Sequence, residues 1–157
     1  MCDFKHNREQ GMALLVSLVF LLLLTMIGIS SLQNATLQEK MAASLSLHNR
    51  SFQAAEAALR IGESAIRVED YRLPVCAGPA RCAPPAESTV VSAAGAHGAS
   101  GVLWIATDDG FYGVQNLGAS LDAVHVPSST SATLYRVTAI GLAGQSRSVL
   151  ESIYAKY

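Results

Sequence analysis

Residues 12–32 read MALLVSLVFLLLLTMIGISSL, an apolar run without one charged side chain. As a helix rising about 1.5 Å per residue it is long enough to cross a hydrocarbon layer of about 30 Å, so the pattern predicts a membrane-spanning helix. A cleaved secretory signal has a shorter apolar core, a more basic front and a small-residue cut site beyond the core, and none of these fits. Helical character does not stop where the apolar run stops. The first proline is Pro74, and Gly28 and Gly62 are the only glycines between Met12 and that proline, so one helix is predicted to continue to about Arg67. Its second half carries a stripe of Leu37, Met41, Leu45, His48, Phe52, Ala55, Leu59, Gly62 and Ile66, spaced by three and four, which is the face expected to lie on a sheet. The opposite side carries Gln38, Glu39, Asn49, Arg50, Gln53, Glu56, Arg60, Glu63 and Arg67. On that side Glu56 with Arg60 and Glu63 with Arg67 are opposite charges four apart in the favourable order.

Beyond the helix the pattern changes. Residues 71–101 are rich in Ala, Pro, Gly, Ser and Val with few large apolar groups, which reads as a long connection. Short strand-like runs follow at 102–107, 111–115, 122–126, 133–142 and 147–155, separated by Asp109-Gly110, the stretch 127–131 and Ala143-Gly144. The last two runs form the clearest hairpin. In the first of that pair Leu134, Arg136, Thr138 and Ile140 alternate with Tyr135, Val137, Ala139 and Gly141, the period of a strand with one face toward a helix. The fold class expected is α+β, with one long amino-terminal helix packed on a small antiparallel sheet. The organisation expected is a polar leader at 1–11, a spanning helix at 12–32, its amphipathic continuation at 33–67, and a β domain at 68–157.

Composition narrows the function. Half of the 157 residues are hydrophobic, but the excess of Leu and Ala sits near the amino terminus, so the globular part is only roughly ninety residues with one small core. The net charge is −1, and Lys and Arg form no cluster interleaved with aromatics, which argues against nucleic acid as a ligand. Catalytic signatures are missing from the sequence: there is no Gly-x-Ser-x-Gly elbow, His-Glu-x-x-His, phosphate loop or Gly-x-Gly-x-x-Gly. His6, His48, His97 and His125 are scattered, and Asp108-Asp109-Gly110 has too few following oxygen ligands for a calcium loop and reads as a tight turn. No enzyme activity, cofactor or metal is therefore expected. Trp104 and Tyr112 read as sheet packing.

Of the three cysteines, Cys2 lies in the leader, while Cys76 and Cys82 lie beyond the span and flank Ala-Gly-Pro-Ala-Arg. Gly and Pro let that short loop turn, so a disulfide there would close at little entropic cost; two free thiols are the alternative. Two ligands without nearby His or Cys cannot complete a zinc tetrahedron. The front flank holds Lys5 and Arg8 beside Asp3 and Glu9, and the rear flank Glu39 and Lys40, a weak positive-inside bias that puts the amino terminus in the cytoplasm.

In order along the chain, Gln10-Gly11-Met12-Ala13-Leu14-Leu15-Val16, the apolar stretch 18–25, Leu37-Gln38-Glu39-Lys40-Met41-Ala42 and Ser51-Phe52-Gln53-Ala54-Ala55-Glu56-Ala57-Ala58-Leu59-Arg60 resemble the type IV pilins, and among them the PilX-type minor pilins. The resemblance covers residues 11–66, under half the chain. It implies that a prepilin peptidase cuts after Gly11 and methylates the new amine of Met12. Glycine also suits such a cut physically, because a residue without Cβ lets a protease approach an extended backbone. The resemblance further implies assembly with other minor pilins, the major pilin, a PilY-family tip adhesin and an inner-membrane platform. The protein would sit in the inner membrane with its carboxy-terminal part in the periplasm, then reach the pilus tip and support twitching motility and adhesion.

One position departs from the family. Most pilins carry Glu as the fifth mature residue, whose carboxylate meets a neighbour's amine in the apolar filament core; here that place is Val16. An amine without a partner in low dielectric is costly, so a subunit with Val16 suits the end assembled first, as in the GspK pseudopilin of type II secretion. Sequence drift at Val16 is the competing account. Helix packing in the membrane would use Ser17, Thr25, Gly28, Ser30 and Ser31 as close-contact or hydrogen-bonding positions. A type II secretion pseudopilin and a membrane-anchored sensor are the alternative functions.

Overall fold

A computed structural model describes residues 7–124, 126, 127 and 130–157. The leader residues 1–6, with Cys2, Asp3, Lys5 and His6, lie outside the described residues, as does His125. The chain divides into two units, Met1–Ala43 and Ser44–Tyr157.

Helix α1 runs Asn7–Arg67, ending where the sequence predicts and beginning inside the expected leader. Asn7-Arg8-Glu9-Gln10 contains no Pro or Gly, so nothing in that stretch breaks the helix ahead of Gly11. In the first unit every residue of α1 from Gly11 on is exposed.

The second unit is a sheet between two covers. Five antiparallel strands, β1 (Gly95–Ala96), β2 (Leu103–Thr107), β3 (Gly110–Ser120), β4 (Ala132–Ala143) and β5 (Ser146–Lys156), lie side by side in chain order. Two-residue turns close the hairpins: Asp108-Asp109 joins β2 to β3, and Gly144-Gln145 joins β4 to β5, with Gly144 at the positive φ of 57° that such a turn favours. The run expected as a strand at 122–126 is not one among its described residues; β3 instead continues to Ser120 through a bulge between Asn116 and Gly118. Paired in that way β3 aligns with nearly the whole of β4, which leaves 121–131 as the connection. Residues 71–101, expected as a plain connection, contain a short helix α2 (Pro79–Cys82), a 3-10 turn (Ala86–Thr89) and strand β1.

The carboxy-terminal part of α1 covers one face of the sheet, along the predicted line at Ala55, Leu59, Gly62 and Ile66 but not at its earlier positions, where His48 is exposed, and with Ser51 and Ala58 added. The buried residues are Ser51, Ala55, Ala58, Gly62 and Ile66. Leu37, Met41 and Leu45 are exposed, and Phe52 remains 42% exposed. Close approach of backbones decides this. A Cβ on Gly141 of β4 would collide with the Ser51 carbonyl and the Ala55 amide, so only small side chains fit the seam. Ala58 packs with Tyr112 and Ala139, while Ile66 packs with Tyr135 and Val137. The seam is also polar at one end, where the Ser51 hydroxyl lies 2.8 Å from that of Ser148 and 3.1 Å from that of Ser146. The predicted ion pairs along α1 are not made: Glu63 accepts a 2.7 Å hydrogen bond from Ser152, and Arg67 lies over the ring of Tyr154. Reaching the sheet offers these side chains fixed partners, which an exposed pair on a helix lacks.

The second face is covered by the segment that precedes β2. Trp104 and Phe111 pack with Ile140, Val91 and Val102. Gly113 provides the room, since a side chain there would run into Val102 and the Trp104 ring.

Candidate functional site

Two places hold the residues singled out in the sequence. The first is the exposed, apolar part of α1 in the amino-terminal unit. Its most apolar window has a mean hydropathy of 2.8 and is wholly unburied, so the helix is long and apolar enough to cross a membrane. Met12, Val16 and Phe20 are 64%, 57% and 64% exposed and recur every fourth residue, which places them on one face. Val16 thus presents an isopropyl group to its surroundings where a carboxylate would be a titratable one.

Three of the hydroxyls on this stretch, though not that of Ser31, are satisfied inside the helix. Ser17 donates to the Leu14 carbonyl at 2.9 Å, Thr25 to that of Leu22 at 2.8 Å and Ser30 to that of Met26 at 3.1 Å. Such bonds let hydroxyls enter hydrocarbon without a partner from another chain. Each hydroxyl oxygen retains acceptor capacity, which is what a neighbouring helix would use. Gly28 is open on its side, with nothing near the place a Cβ would take.

Gly11 is helical and exposed, not extended, and a Cβ there would meet nothing. A protease that grips an extended backbone would need the first turns of α1 to unwind around Gly11, and the ends of a helix, with fewer internal hydrogen bonds, open most readily.

The second place is the cysteine loop. Cys76 and Cys82 form a disulfide, with Cα atoms 5.3 Å apart. Three side chains on the sheet secure the loop from below. Gln115 donates its amide hydrogens to the carbonyls of Arg81 and Ala83, at 2.6 and 3.1 Å. Arg136 donates to the Cys82 carbonyl and to Gln115 Oε1, and its Nε donates to Glu151 at 2.9 Å. Asn116, at the bulge, donates to the Leu73 carbonyl at 2.7 Å while its own carbonyl accepts from Cys76 N–H at 2.8 Å. The spacing of the two cysteines pointed to the loop, but nothing local marked Gln115, Asn116 and Arg136 as its supports. Their signal is weaker: polar residues inside strands whose neighbours are buried.

Near the start of that loop, Tyr71 packs edge-on against Tyr135, with ring centroids 5.7 Å apart. Burial raises the Tyr71 hydroxyl above its ordinary value near 10, and the phenols of Tyr112 and Tyr135 add to the shift. Among the described residues no group of three or more His, Cys, Asp or Glu is gathered as a metal site would require.

Comparison with known families gives one finding. The family described as PilX N-terminal matches residues 10–60, under half of the chain, and that stretch includes Gly11, Met12 and Val16. No curated protein and no solved structure matches the chain.

Proposed function

We propose, from the premise that residues 10–60 make this chain a type IV pilin of the PilX type, that it is a minor pilin placed at or near the pilus tip. There it primes assembly with other minor pilins and so supports twitching motility and adhesion. A structural pilus component is what the family implies in general; the tip position is the further step.

The observation that carries the step is Val16. It lies exposed on an uncharged helix face with Met12 and Phe20, so the helix offers no carboxylate to a neighbouring subunit's terminal amine. Inside an apolar bundle that amine would then stay unpaired at a cost of several kcal/mol. A subunit repeated along a filament meets this cost at every step; a subunit added first does not. Processing follows the family: cleavage after Gly11 by the prepilin peptidase and methylation of Met12. The major pilin, a PilY-family adhesin and the inner-membrane platform are its proposed partners, and the single span is inserted with its amino terminus in the cytoplasm.

Two substitutions test the reading. Replacing Gly11 with a bulky residue should leave a slower-migrating precursor and abolish surface pili, as should loss of the peptidase. Unchanged migration with normal piliation defeats the pilin assignment. Val16→Glu should leave processing intact but alter the number of pili initiated; if pilus number does not change, drift accounts for Val16 and the tip position is abandoned.

A further inference from the structure

The sheet has a gap in one edge. Pairing between β2 and β3 stops at Ile105 with Tyr112, and the next pairs in that register, Trp104 with Gly113 and Leu103 with Val114, are not made. There β2 leaves β3 and joins β1 instead, through Ala96 with Leu103 and Gly95 with Trp104. Farther along, the chain before the cysteine loop returns to the same edge, where Val75 bridges Asn116 in parallel. Between these two partners lies a cleft of about 300 Å³, walled by Leu73, Val75, Leu103, Ile105 and Val114. That volume is at the lower end of the range in which proteins hold ligands.

Three features of the cleft belong together. The first is a vacant backbone position. The Asn116 carbonyl points to this edge, since Cys76 N–H donates to it, and peptide groups in an antiparallel ladder repeat their direction every second residue. The N–H and C=O of Val114 therefore turn toward the gap, where no strand pairs with them among the described residues. The second is apolar surface: Val75 and Leu103 are each 59% exposed and Ile105 is 43% exposed, all three around one opening. The third is charge. Arg81 also lines the cleft, and among the described residues no carboxylate lies within ion-pair distance of it. Its backbone is held in place by the adjoining disulfide and by the bond from Gln115.

We propose that this cleft docks an extended peptide segment of a partner protein, apolar in character and carrying one acidic side chain. The peptide backbone pairs with Val114 as a short added strand, an apolar side chain enters between Leu103 and Val75, and the carboxylate meets Arg81. The slot is about 10 Å long, given roughly 3.3 Å per extended residue across positions 113–115, so it takes about three residues. An apolar acid without an amide would use the wall and Arg81 but leave the vacant peptide group unpaired. The proposal stands on the sheet edge alone and does not rest on the pilin reading.

The test uses the full chain in detergent micelles and a fluorescein-labelled peptide, Thr-Val-Glu-Val-Thr, read by anisotropy. Saturable binding is expected, weakened about tenfold or more by Arg81→Glu and by N-methylation of the peptide's central residue. Exchanging Glu for Lys in the peptide should weaken binding to the wild type and restore it on Arg81→Glu. Because Arg81 is exposed, an unchanged melting curve should show that this variant is folded, and Leu103→Asp provides a second, independent disruption. Equal binding of the Glu and Lys peptides overturns the proposal, as does indifference to Leu103→Asp. Displacement of the peptide by octanoate with no effect of N-methylation also overturns it, because the cleft would then be a site for apolar acids.

Discussion

Gly62 on α1 stands so close to Val137 on β4 that a methyl group on Gly62 would come within 2.6 Å of Val137 Cγ1. Alanine is the better helix former by about 1 kcal/mol, yet here it overpacks a seam that has no slack. Gly62→Ala is expected to destabilise the domain by about 1–3 kcal/mol in chemical denaturation. Trimming Val137 to Ala in the same chain should recover part of that loss, a coupling that a double-mutant cycle reads directly. Gly141→Ala offers the contrast: its methyl would meet main-chain atoms of α1, so no side-chain trimming should rescue it.

Arg136 links the cysteine loop to the strand below it. Arg136→Met should leave the Cys82 carbonyl and Gln115 Oε1 without their donor and cost about 1–3 kcal/mol. Glu151→Gln removes only the partly exposed partner of the pair, and its effect should stay within about 1 kcal/mol. Thermal melts of the two variants should therefore differ clearly, although each breaks the same ion pair.

Tyr71 predicts a limit at alkaline pH. Its folded-state pKa is raised above the unfolded value, so the folded state holds the proton more tightly. The stability this contributes is complete below the ordinary tyrosine value near 10 and is lost as pH rises through the higher folded value. Tyr71→Phe should flatten the fall in melting temperature above pH 10 relative to wild type, and an unchanged profile would assign the fall to other groups.

The disulfide closes a short loop, with a sequence separation of 6, so the chain-entropy estimate of its contribution is about 2 kcal/mol. The double variant Cys76→Ala, Cys82→Ala should lose about that much and remain folded, because Gln115, Asn116 and Arg136 still hold the segment. Intact-mass measurement with and without reductant checks that the bond is present in the wild type.

Helix and strands were readable where backbone chemistry is local. The absence of Pro and the scarcity of Gly foretold a helix ending at Arg67, and alternation in β4 foretold its two faces. The buried stripe of α1 was readable from Ala55 to Ile66 but not before it, because the choice between Phe52 and Ser51 depends on how closely Gly141 lets the backbone approach from another element. The same holds for the missing strand at 122–126, since β3 took a longer pairing with β4 through a bulge that Asn116 and Gly118 close between themselves at 2.8 Å. At the candidate site the apolar helix, Gly11 and Val16 are properties of sequence alone. The supports of the cysteine loop, adjacent Gln115 and Asn116 on β3 with Arg136 opposite Gln115 on β4 and 21 residues from it in the chain, are brought together by strand pairing and leave no spacing to recognise.

The chain-order sheet also sets a schedule for folding. Every strand pairs with its neighbour in sequence, so the sheet closes through short hairpins that cost little loop entropy. The contacts that span great lengths of chain are those of the seam, such as Ser51 with Ser148 and Glu63 with Ser152, 97 and 89 residues apart. Amides of β3 and β4 should accordingly gain protection from hydrogen exchange before those seam contacts form. A domain that completes its sheet first would expose the face formed by Tyr112, Tyr135, Val137 and Ala139 until the helix arrives, and its last folding step would be the docking of a helix whose other end is suited to lipid.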